Sequence, residues 1–330
     1  MTAKNTERPY HHEGNGLFRN NYLNERKTLK DLLKWRRNRE NIPASIAFPH
    51  HVAPLAELQS NRTRPSITWI GHVTFLLQLD GVNFLTDPHF SGRAFPLSFL
   101  GPKRTTPLGI ALKDLPHIDV VLLSHNHYDH LDAASILALA KKQKGKAPLF
   151  VVPLGVKAWF IKRGIENVLE LDWWQSTDFH HFKIQAVPAQ HWSRRNPFDT
   201  NRSLWCGFVI EHEGKRVYFA GDTGYSRDFK DIREKVGAMR LALIPIAAYA
   251  PRWFMKSSHI DPEEAVQVHL DLESSYSVGM HWGTFPLTDE PMDEPPKKLA
   301  VALKAAGVKA EHFTVMAHGE TRWLEKLWLE

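Results

Sequence analysis

The sequence predicts an α+β fold in which two β-sheets are faced by helices within one domain of about 270 residues. Three observations lead to this fold class. Short apolar segments of strand length occur in two runs along the chain, and helical segments follow each run. No repeat, low-complexity tract or linker divides the region that holds them. The length of 330 residues accommodates one such domain together with an N-terminal extension.

Residues 1–60 are predicted to be a basic extension with one short amphipathic helix, and residues 61–330 to be the main domain. The whole chain contains 42 Lys and Arg against 36 Asp and Glu, a net charge of +6. Residues 26–39, with the sequence RKTLKDLLKWRRNR, contain seven basic residues and one acidic residue, which is a net +6 for this segment alone. The excess positive charge is therefore concentrated in one short segment.

The helix predicted within residues 26–39 is amphipathic, and Pro43 is expected to close it. Its apolar side chains fall largely on one face, opposite most of the basic ones. The apolar residues are Leu29, Leu32, Leu33 and Trp35. Three interpretations stay open: the helix packs on the main domain with its basic face in water, it lies on an anionic lipid surface, or it binds nucleic acid.

The first run of strands begins at Ile67, and Gly71 and the pair Asp80-Gly81 are predicted turns within it. A helix is predicted at residues 132–142. The strand segments of this run are ITWI (67–70), VTFLLQL (73–79), VNFLTD (82–87), VVLLS (120–124) and LFVV (149–152).

The second run contains a predicted hairpin that turns at Glu213-Gly214. A helix is predicted to follow the run, with Asp261 as its N-cap and Pro262 at its first position, and another at residues 297–306. A last strand precedes that second helix. The strand segments are FKIQAV (182–187), GFVIEH (207–212), KRVYFAG (215–221), LALIPI (241–246) and YSVGM (276–280).

Composition excludes several classes of protein. A single cysteine, Cys206, excludes an internal disulfide framework and a cysteine-based zinc site. No apolar run approaches the roughly 20 residues that a membrane-spanning helix needs. The N-terminus lacks the apolar core of a secretory signal. We therefore expect a cytoplasmic protein that is not secreted.

The pattern H-x-H-x-D-H carries the strongest chemical signal in a chain that contains 19 histidines. It comprises His125, His127, Asp129 and His130, on a loop between a predicted strand and a predicted helix. Four titratable side chains at such an apolar junction cost desolvation energy unless a cation pairs them. His125 and His127 can point to one metal ion, and the Asp-His pair that follows can turn to a second.

Three more candidate ligands, His191, Asp222 and His281, each follow a predicted strand. Taken alone, a histidine after a strand is more often hydrogen-bonded scaffolding, and an aspartate before Thr-Gly is often a turn residue. Together with the first motif, they give five His and two Asp on loops at one edge of a layered fold. We therefore predict a site for two metal ions. Ligation by His and Asp without thiolate suits zinc best, and iron and manganese stay open.

This set of residues resembles the metallo-β-lactamase-fold hydrolases, whose four-layer αββα sandwich agrees with the predicted order of strands and helices. Asp87 matches an early aspartate of that family, and the resemblance implies that it orients a ligand histidine.

Longer stretches resemble one branch of these hydrolases, the N-acylphosphatidylethanolamine-hydrolysing phospholipases D. They run from about residue 67 to residue 285, and FRNNYL near the N-terminus fits more loosely. The stretches are ITWIGHVTFLLQLDGVNFLTDPHFSGRAFP, GPKR, SHNHYDHLD, PRWFMKSSHIDPEEAV and HWGTF. The resemblance implies two zinc ions, the first bound by His125, His127 and His191, the second by Asp129, His130 and His281, with Asp222 as a bridge.

The predicted function is hydrolysis of N-acylphosphatidylethanolamine to N-acylethanolamine and phosphatidic acid by a hydroxide that two metal ions activate. Asp129, Asp222 and His259 are the catalytic candidates. Tyr128, Lys256 and His259 are candidates for substrate contact, and His259 is expected to hold a phosphate oxygen or to assist proton transfer.

The expected partners are a phospholipid substrate and a membrane surface, with peripheral association on its inner face. The resembled family also makes a homodimer an expectation. An alternative keeps the metal site and changes the substrate to a soluble ester, lactone or phosphodiester. Nucleic-acid binding is not expected, because the basic excess is short and the rest of the chain is neutral.

Overall fold

The computed structural model describes residues 9–25, 27–39, 44 and 46–328. Arg26 and Pro43, which belong to the predicted basic segment and its end, lie outside the described residues.

Two seven-stranded sheets form the body of the molecule, and a small hairpin precedes them. The hairpin strands are His12–Glu13 (β1) and Leu17–Phe18 (β2). The first sheet contains Ser66–Gly71 (β3), Thr74–Leu79 (β4), Val82–Thr86 (β5), Val120–Leu122 (β6), Leu149–Pro153 (β7) and Val168–Leu171 (β8). The second contains Ser176–Phe179 (β9), Phe182–Val187 (β10), Gly207–His212 (β11), Lys215–Phe219 (β12), Leu241–Pro245 (β13), Tyr276–Met280 (β14) and Phe313–Val315 (β15). The last strand, Thr321–Trp323 (β16), returns to the first sheet.

Strand direction decides where the loops with polar residues meet. The order in the first sheet is β16-β3-β4-β5-β6-β7-β8, antiparallel up to β5 and parallel from β5 to β8. The order in the second is β15-β14-β13-β12-β11-β10-β9, parallel from β15 to β12 and antiparallel beyond it. Strands β10, β12 and β14 therefore run in the same direction, and the loops at their carboxyl ends share one edge of the sheet.

Nine helices occur in the described part of the chain. They are Leu29–Arg37 (α1), Leu55–Ser60 (α2), Ala133–Lys142 (α3), Lys157–Ile161 (α4), Asp228–Val236 (α5), Arg252–Met255 (α6), Pro262–Asp271 (α7), Glu294–Ala305 (α8) and Glu325–Trp328 (α9). The predicted start of α7 is confirmed: Asp261 caps it by accepting from the Glu264 N–H, and Pro262 occupies its first turn. Helix α8 begins three residues before the predicted position.

Successive side chains along a strand point to opposite faces of the sheet, and this places them in two separate cores. Phe75 and Leu77 of β4 belong to the large core that also contains residues of the second sheet. Leu76, which points to the opposite face, belongs to a second core with Ile136 and Leu139 of α3. Each sheet thus buries one face against the other sheet and one face beneath helices, which is the predicted αββα arrangement.

The N-terminal segment is fixed to this body. His11 Nε2 lies 2.6 Å from one carboxylate oxygen of Asp172, and His12 Nε2 lies 2.8 Å from the other. Phe18 is buried within the large core. The residues that precede helix α1 therefore already pack against the main part of the molecule.

Helix α1 is present and begins with a capping box between Thr28 and Asp31. Trp35 stacks on Phe254 with ring centroids 5.0 Å apart, and its Nε1 donates to Asp289 over 2.6 Å. Leu29 and Leu33 remain 70% and 57% exposed, so the predicted apolar face is only partly covered. Over the described residues, every helix is too short or too polar to cross a membrane.

Candidate metal centre

Three histidines form the first half of the candidate centre. His125 and His127 follow β6, and His191 follows β10. The Nδ1 atom of His127 lies 2.8 Å from His125 Nε2 and 3.2 Å from His191 Nε2. His191 is oriented by its Nδ1, which lies 2.8 Å from the Ser258 carbonyl oxygen. Three imidazole nitrogens thus converge on one point, as the ligands of a metal ion do.

Asp129, His130 and His281 form the second half. The Oδ2 atom of Asp129 lies 3.4 Å from His130 Nε2 and 3.5 Å from His281 Nε2. His72 joins this group, because its Nε2 lies 3.1 Å from the same oxygen. One carboxylate oxygen and three imidazole nitrogens therefore surround a common point.

Asp222 lies between the two halves. Its Oδ1 is 3.0 Å from His281 Nε2, and its Oδ2 is 3.2 Å from His130 Nε2. Oδ2 is also 3.8 Å from His191 Nε2, in the first half. A carboxylate in this position can reach a cation in either half.

Asp87 holds the loop that follows β6. Its carboxylate accepts from the Ser124 N–H over 2.7 Å and from the Ser124 hydroxyl over 2.5 Å. His130 Nδ1 lies 2.6 Å from the same carboxylate, so the opposite nitrogen, Nε2, is directed at Asp222 and Asp129. This contact is of the kind that the orienting role implied by the resemblance requires, and the role itself stays a prediction.

Burial keeps the first three histidines neutral. It lowers the pKa of His127 to about 4, and the pKa values of His125 and His191 fall well below their usual range for the same reason. A neutral imidazole keeps the lone pair that a metal ion needs.

The second half has the opposite electrostatics. Burial opposes ionisation of Asp129 and Asp222, but the neighbouring His130 holds the pKa of both carboxyl groups well below the usual range. Burial also works against a charge on His281, but Asp222 and Asp129 outweigh it and raise the pKa to about 9. The pKa of His130 is raised well above its usual value by the same two carboxylates. The two buried carboxylates are therefore stable in their ionised form only when protonated histidines or a cation supply positive charge beside them.

The candidate ligand atoms are better placed to contact a metal ion than to form hydrogen bonds with one another. Among the buried side-chain atoms of the described residues that lack a hydrogen bond of acceptable geometry, three face the centre: His130 Nε2, His281 Nε2 and Asp222 Oδ1. Most buried polar atoms in folded proteins are paired. At these three atoms, close approach without hydrogen bonding is what ligands of a metal ion show.

A cavity of about 400 Å³ opens onto this cluster. His127, Asp129, His191, Asp222 and His259 line its floor. Its wall is largely apolar and is contributed in part by helix α1. The apolar wall residues include Leu29, Leu32, Trp35, Phe254, Met255 and Leu287, and the basic ones are Lys27 and Arg194.

The three remaining candidates lie at different distances from this cavity. His259 reaches the floor, with Nδ1 3.9 Å from Asp222 Oδ2, and burial lowers its pKa to about 4. Tyr128 points elsewhere, since its hydroxyl donates to the Arg195 carbonyl over 2.6 Å. Lys256 is exposed at the end of α6 and is not among the cavity residues, because the turn directs it to solvent.

Two residues near the centre were missed by sequence analysis. His72 was not among the predicted site residues; its backbone is left-handed (φ 56°), and its Nε2 lies 3.1 Å from Asp129 Oδ2. Asn20, within FRNNYL, donates to the His191 carbonyl over 2.9 Å and accepts from the His191 N–H over 3.1 Å. The resemblance of FRNNYL was the available signal for Asn20.

Comparison with known proteins gives a family match and close relatives. Residues 82–282 match the family described as Beta-lactamase superfamily domain. N-acyl-phosphatidylethanolamine-hydrolyzing phospholipase D 1 of Caenorhabditis elegans is 43% identical, over 77% of this chain and 74% of that protein. The mitochondrial N-acyl-phosphatidylethanolamine-hydrolyzing phospholipase D of Saccharomyces cerevisiae is 41% identical, over 73% of this chain and 52% of that protein. The chain spans about half the length of the yeast relative.

A solved structure shares the fold. Igni18, a metallo hydrolase from the archaeon Ignicoccus hospitalis, aligns with a TM-score of 0.59 and 25% identity. The alignment covers 79% of this chain and 98% of that chain. The predicted fold class is thereby confirmed.

Proposed function

Since this chain belongs to the β-lactamase superfamily of metal-dependent hydrolases, and is 41–43% identical to two N-acylphosphatidylethanolamine-hydrolysing phospholipases D, we propose that it hydrolyses N-acylphosphatidylethanolamine. The products would be N-acylethanolamine and phosphatidic acid. The observation that carries the proposal is the cavity, which joins a His/Asp cluster to an apolar wall and two basic side chains. An amphiphile with a phosphodiester suits those three features together.

We assign the ligands as the resemblance implied. His125, His127 and His191 would hold one ion, Asp129, His130 and His281 the other, and Asp222 both. Two bound ions, for which zinc is our proposal, supply water of lowered pKa and neutralise charge on the phosphoryl group. The chain's own contribution is to keep the histidines in place, through Asp87 and Ser258, and to exclude bulk water from a buried floor.

His259 is the further catalytic candidate at the floor. Because burial keeps it neutral, it offers one N–H and one lone pair at neutral pH. The N–H can hold a phosphoryl oxygen, and the lone pair can accept a proton from the attacking water. The attack forms a bond from the water oxygen to phosphorus, and the bond from phosphorus to the ethanolamine oxygen breaks. The proton that His259 accepted from the water passes to the leaving oxygen, which completes N-acylethanolamine.

The apolar wall and the basic side chains would bind the rest of the lipid. Arg194 offers positive charge to the phosphodiester, whereas Lys27 is paired with Glu25 over 2.5 Å. Leu32 and Phe254 offer apolar surface to the acyl chains. We also propose peripheral association with the inner face of a membrane, which the exposed basic side chains of α1 support.

A paired assay tests the proposal. Purified protein should release N-acylethanolamine from micellar N-acylphosphatidylethanolamine and lose that activity after chelation, with recovery on adding zinc. Soluble esters, lactones and simple phosphodiesters should be hydrolysed far more slowly. Efficient hydrolysis of one of those soluble compounds, with no turnover of the lipid, would replace this function with the alternative one.

A further inference from the structure

Two loops at the candidate centre expose an apolar patch, here named the apolar rim. Its residues are Phe95, Leu97, Phe99, Leu100 and Phe198, exposed by 41%, 45%, 70%, 47% and 86%. Single exposed apolar side chains are ordinary on a protein surface. Four of them within residues 95–100, with a fifth on a neighbouring loop, indicate a binding surface.

The two loops meet at Tyr128, which lies in the chain between His127 and Asp129. The Phe95 and Tyr128 ring centroids are 5.8 Å apart. On the other side, the Arg195 guanidinium lies 4.2 Å from the Tyr128 ring centroid, and Phe198 follows three residues later. The apolar rim therefore lies beside the loop that carries His127 and Asp129.

Basic residues flank the apolar rim on both loops. Lys103, Arg194 and Arg202 are exposed, and Arg194 also lines the cavity. The second loop contains one acidic residue, Asp199, which accepts from the Asn196 Nδ2 over 2.7 Å, and the basic residues of the two loops outnumber it. An apolar surface with a cationic border matches the boundary between phospholipid headgroups and acyl chains.

We propose that the apolar rim inserts into a phospholipid bilayer and brings the cavity against the membrane surface. This inference rests on the proposed function, because a bilayer is where such a lipid substrate is found. Helix α1 would add electrostatic attraction, whereas the apolar rim binds through burial of apolar surface. Binding through the apolar rim therefore does not require anionic lipid.

A second copy of the chain is the competing occupant. A symmetric dimer would place the same patch against itself, because a two-fold interface uses identical surfaces. The cationic borders of the two copies would then face each other and repel. The charge of the border therefore favours the bilayer.

Two double variants test the inference on vesicles of phosphatidylcholine, which carry no net charge. The variant is Leu97→Ser/Phe99→Ser, and the matched control is Leu137→Ser/Leu270→Ser, whose residues are 41% and 43% exposed on α3 and α7. Co-sedimentation should show binding weakened roughly tenfold or more in the first variant. The control should bind as wild type does. Equal binding by both variants would overturn the inference.

A label reports insertion directly. Cys206 is only 1% exposed, so Phe99→Cys provides the one accessible thiol among the described residues. An environment-sensitive fluorophore on that cysteine should shift to the blue with phosphatidylcholine vesicles, and the same label on Leu137→Cys should not.

If the rim variant instead dissociates a dimer and leaves vesicle binding unchanged, the second copy is the occupant and the inference is overturned. Failure of wild type to hydrolyse a monomeric N-acylphosphatidylethanolamine would remove the proposed function alone, since the vesicle results do not depend on turnover.

Discussion

Asp222 lies between the two halves of the candidate centre, and we predict that the chemistry of the centre depends on this residue more than on any single histidine. Its two oxygens face His281 and His130 in one half, and one of them also approaches His191 in the other. A carboxylate at this point can offset charge on both sides at once, and no single histidine has that position.

Asp222→Asn should therefore lower turnover at least roughly 100-fold and reduce the metal content while the chain still folds. Elemental analysis, circular dichroism and the lipid assay measure the three effects. Asp172→Asn is the matched control, because Asp172 is also buried beside two histidines but lies apart from the cavity. A variant at position 222 that keeps a tenth of the wild-type rate would show that the bridging assignment is wrong.

His318 determines part of the pH dependence of stability. It is fully buried, and its Nε2 lies 2.8 Å from the Thr284 hydroxyl. Burial, with a smaller effect from Arg104, lowers its pKa from 6.5 to about 3. Below pH 6.5, the His318 imidazole therefore binds a proton in the unfolded chain but stays neutral in the folded chain.

As the pH is lowered below 6.5, the free energy of unfolding should decrease, by up to about 1.4 kcal/mol per pH unit from this one group. His318→Gln removes that contribution, so the difference in stability between wild type and variant should narrow from pH 7 to pH 5. Urea unfolding at several pH values measures it. A difference that stays constant with pH would contradict the assignment.

At the scale of elements, helix α1 has one surface that packs on the body of the molecule and one that is exposed. Trp35 fixes it to Phe254 and Asp289, and Arg39 Nε donates to Asp289 over 2.6 Å. Leu29 and Leu32 line the cavity. The sequence left domain packing and lipid binding as alternatives, and the contacts are compatible with both, because the basic side chains stay exposed.

Neutralising four exposed basic side chains of α1, Lys30, Lys34, Arg36 and Arg37, to glutamine should weaken binding to anionic vesicles strongly at low salt and less at high salt. Each contributes about 1 kcal/mol near an anionic surface, and salt screens the attraction. Turnover of a short-chain, monomeric substrate should change little. Vesicle co-sedimentation beside that assay measures both.

The matched control replaces four exposed lysines elsewhere, Lys141, Lys144, Lys146 and Lys304. If both quadruple variants lose vesicle binding equally, total charge is responsible and α1 has no particular role. If the α1 variant binds vesicles normally but loses stability, the helix serves packing alone.

At the scale of the whole molecule, the candidate centre joins the two sheets. Its ligands come from loops after β6 in the first sheet and after β10, β12 and β14 in the second. Ions bound there would hold both sheets together and stabilise the folded state by mass action, by about 2.7 kcal/mol for each ion present at 100 times its dissociation constant.

Chelation should therefore lower the melting temperature by several degrees, and zinc should restore it at two equivalents per chain. Differential scanning calorimetry during a zinc titration measures the stoichiometry. Full activity and a full return of the melting temperature at one equivalent would contradict a two-ion centre.

Several features were predictable from sequence because they depend on neighbouring residues. The strands β10, β11 and β14 have the predicted bounds, since a short run of strand-forming residues bounded by turn residues is a local signal. The start of α7 followed from Asp261 and Pro262. The spacing H-x-H-x-D-H marked four side chains of one loop as a group.

Convergence of distant loops was decided only by the tertiary structure. His72, Asp87 and His281 take left-handed backbone conformations, with φ of 56°, 27° and 68°, which non-glycine residues rarely adopt and local sequence does not signal. The return of β16 to the first sheet and the position of α1 on the cavity are likewise long-range contacts. The sequence by itself therefore determined the elements and the type of ligand, because both are local properties. The packing of two sheets decided which of the 19 histidines meet, because that depends on surfaces far apart in the chain.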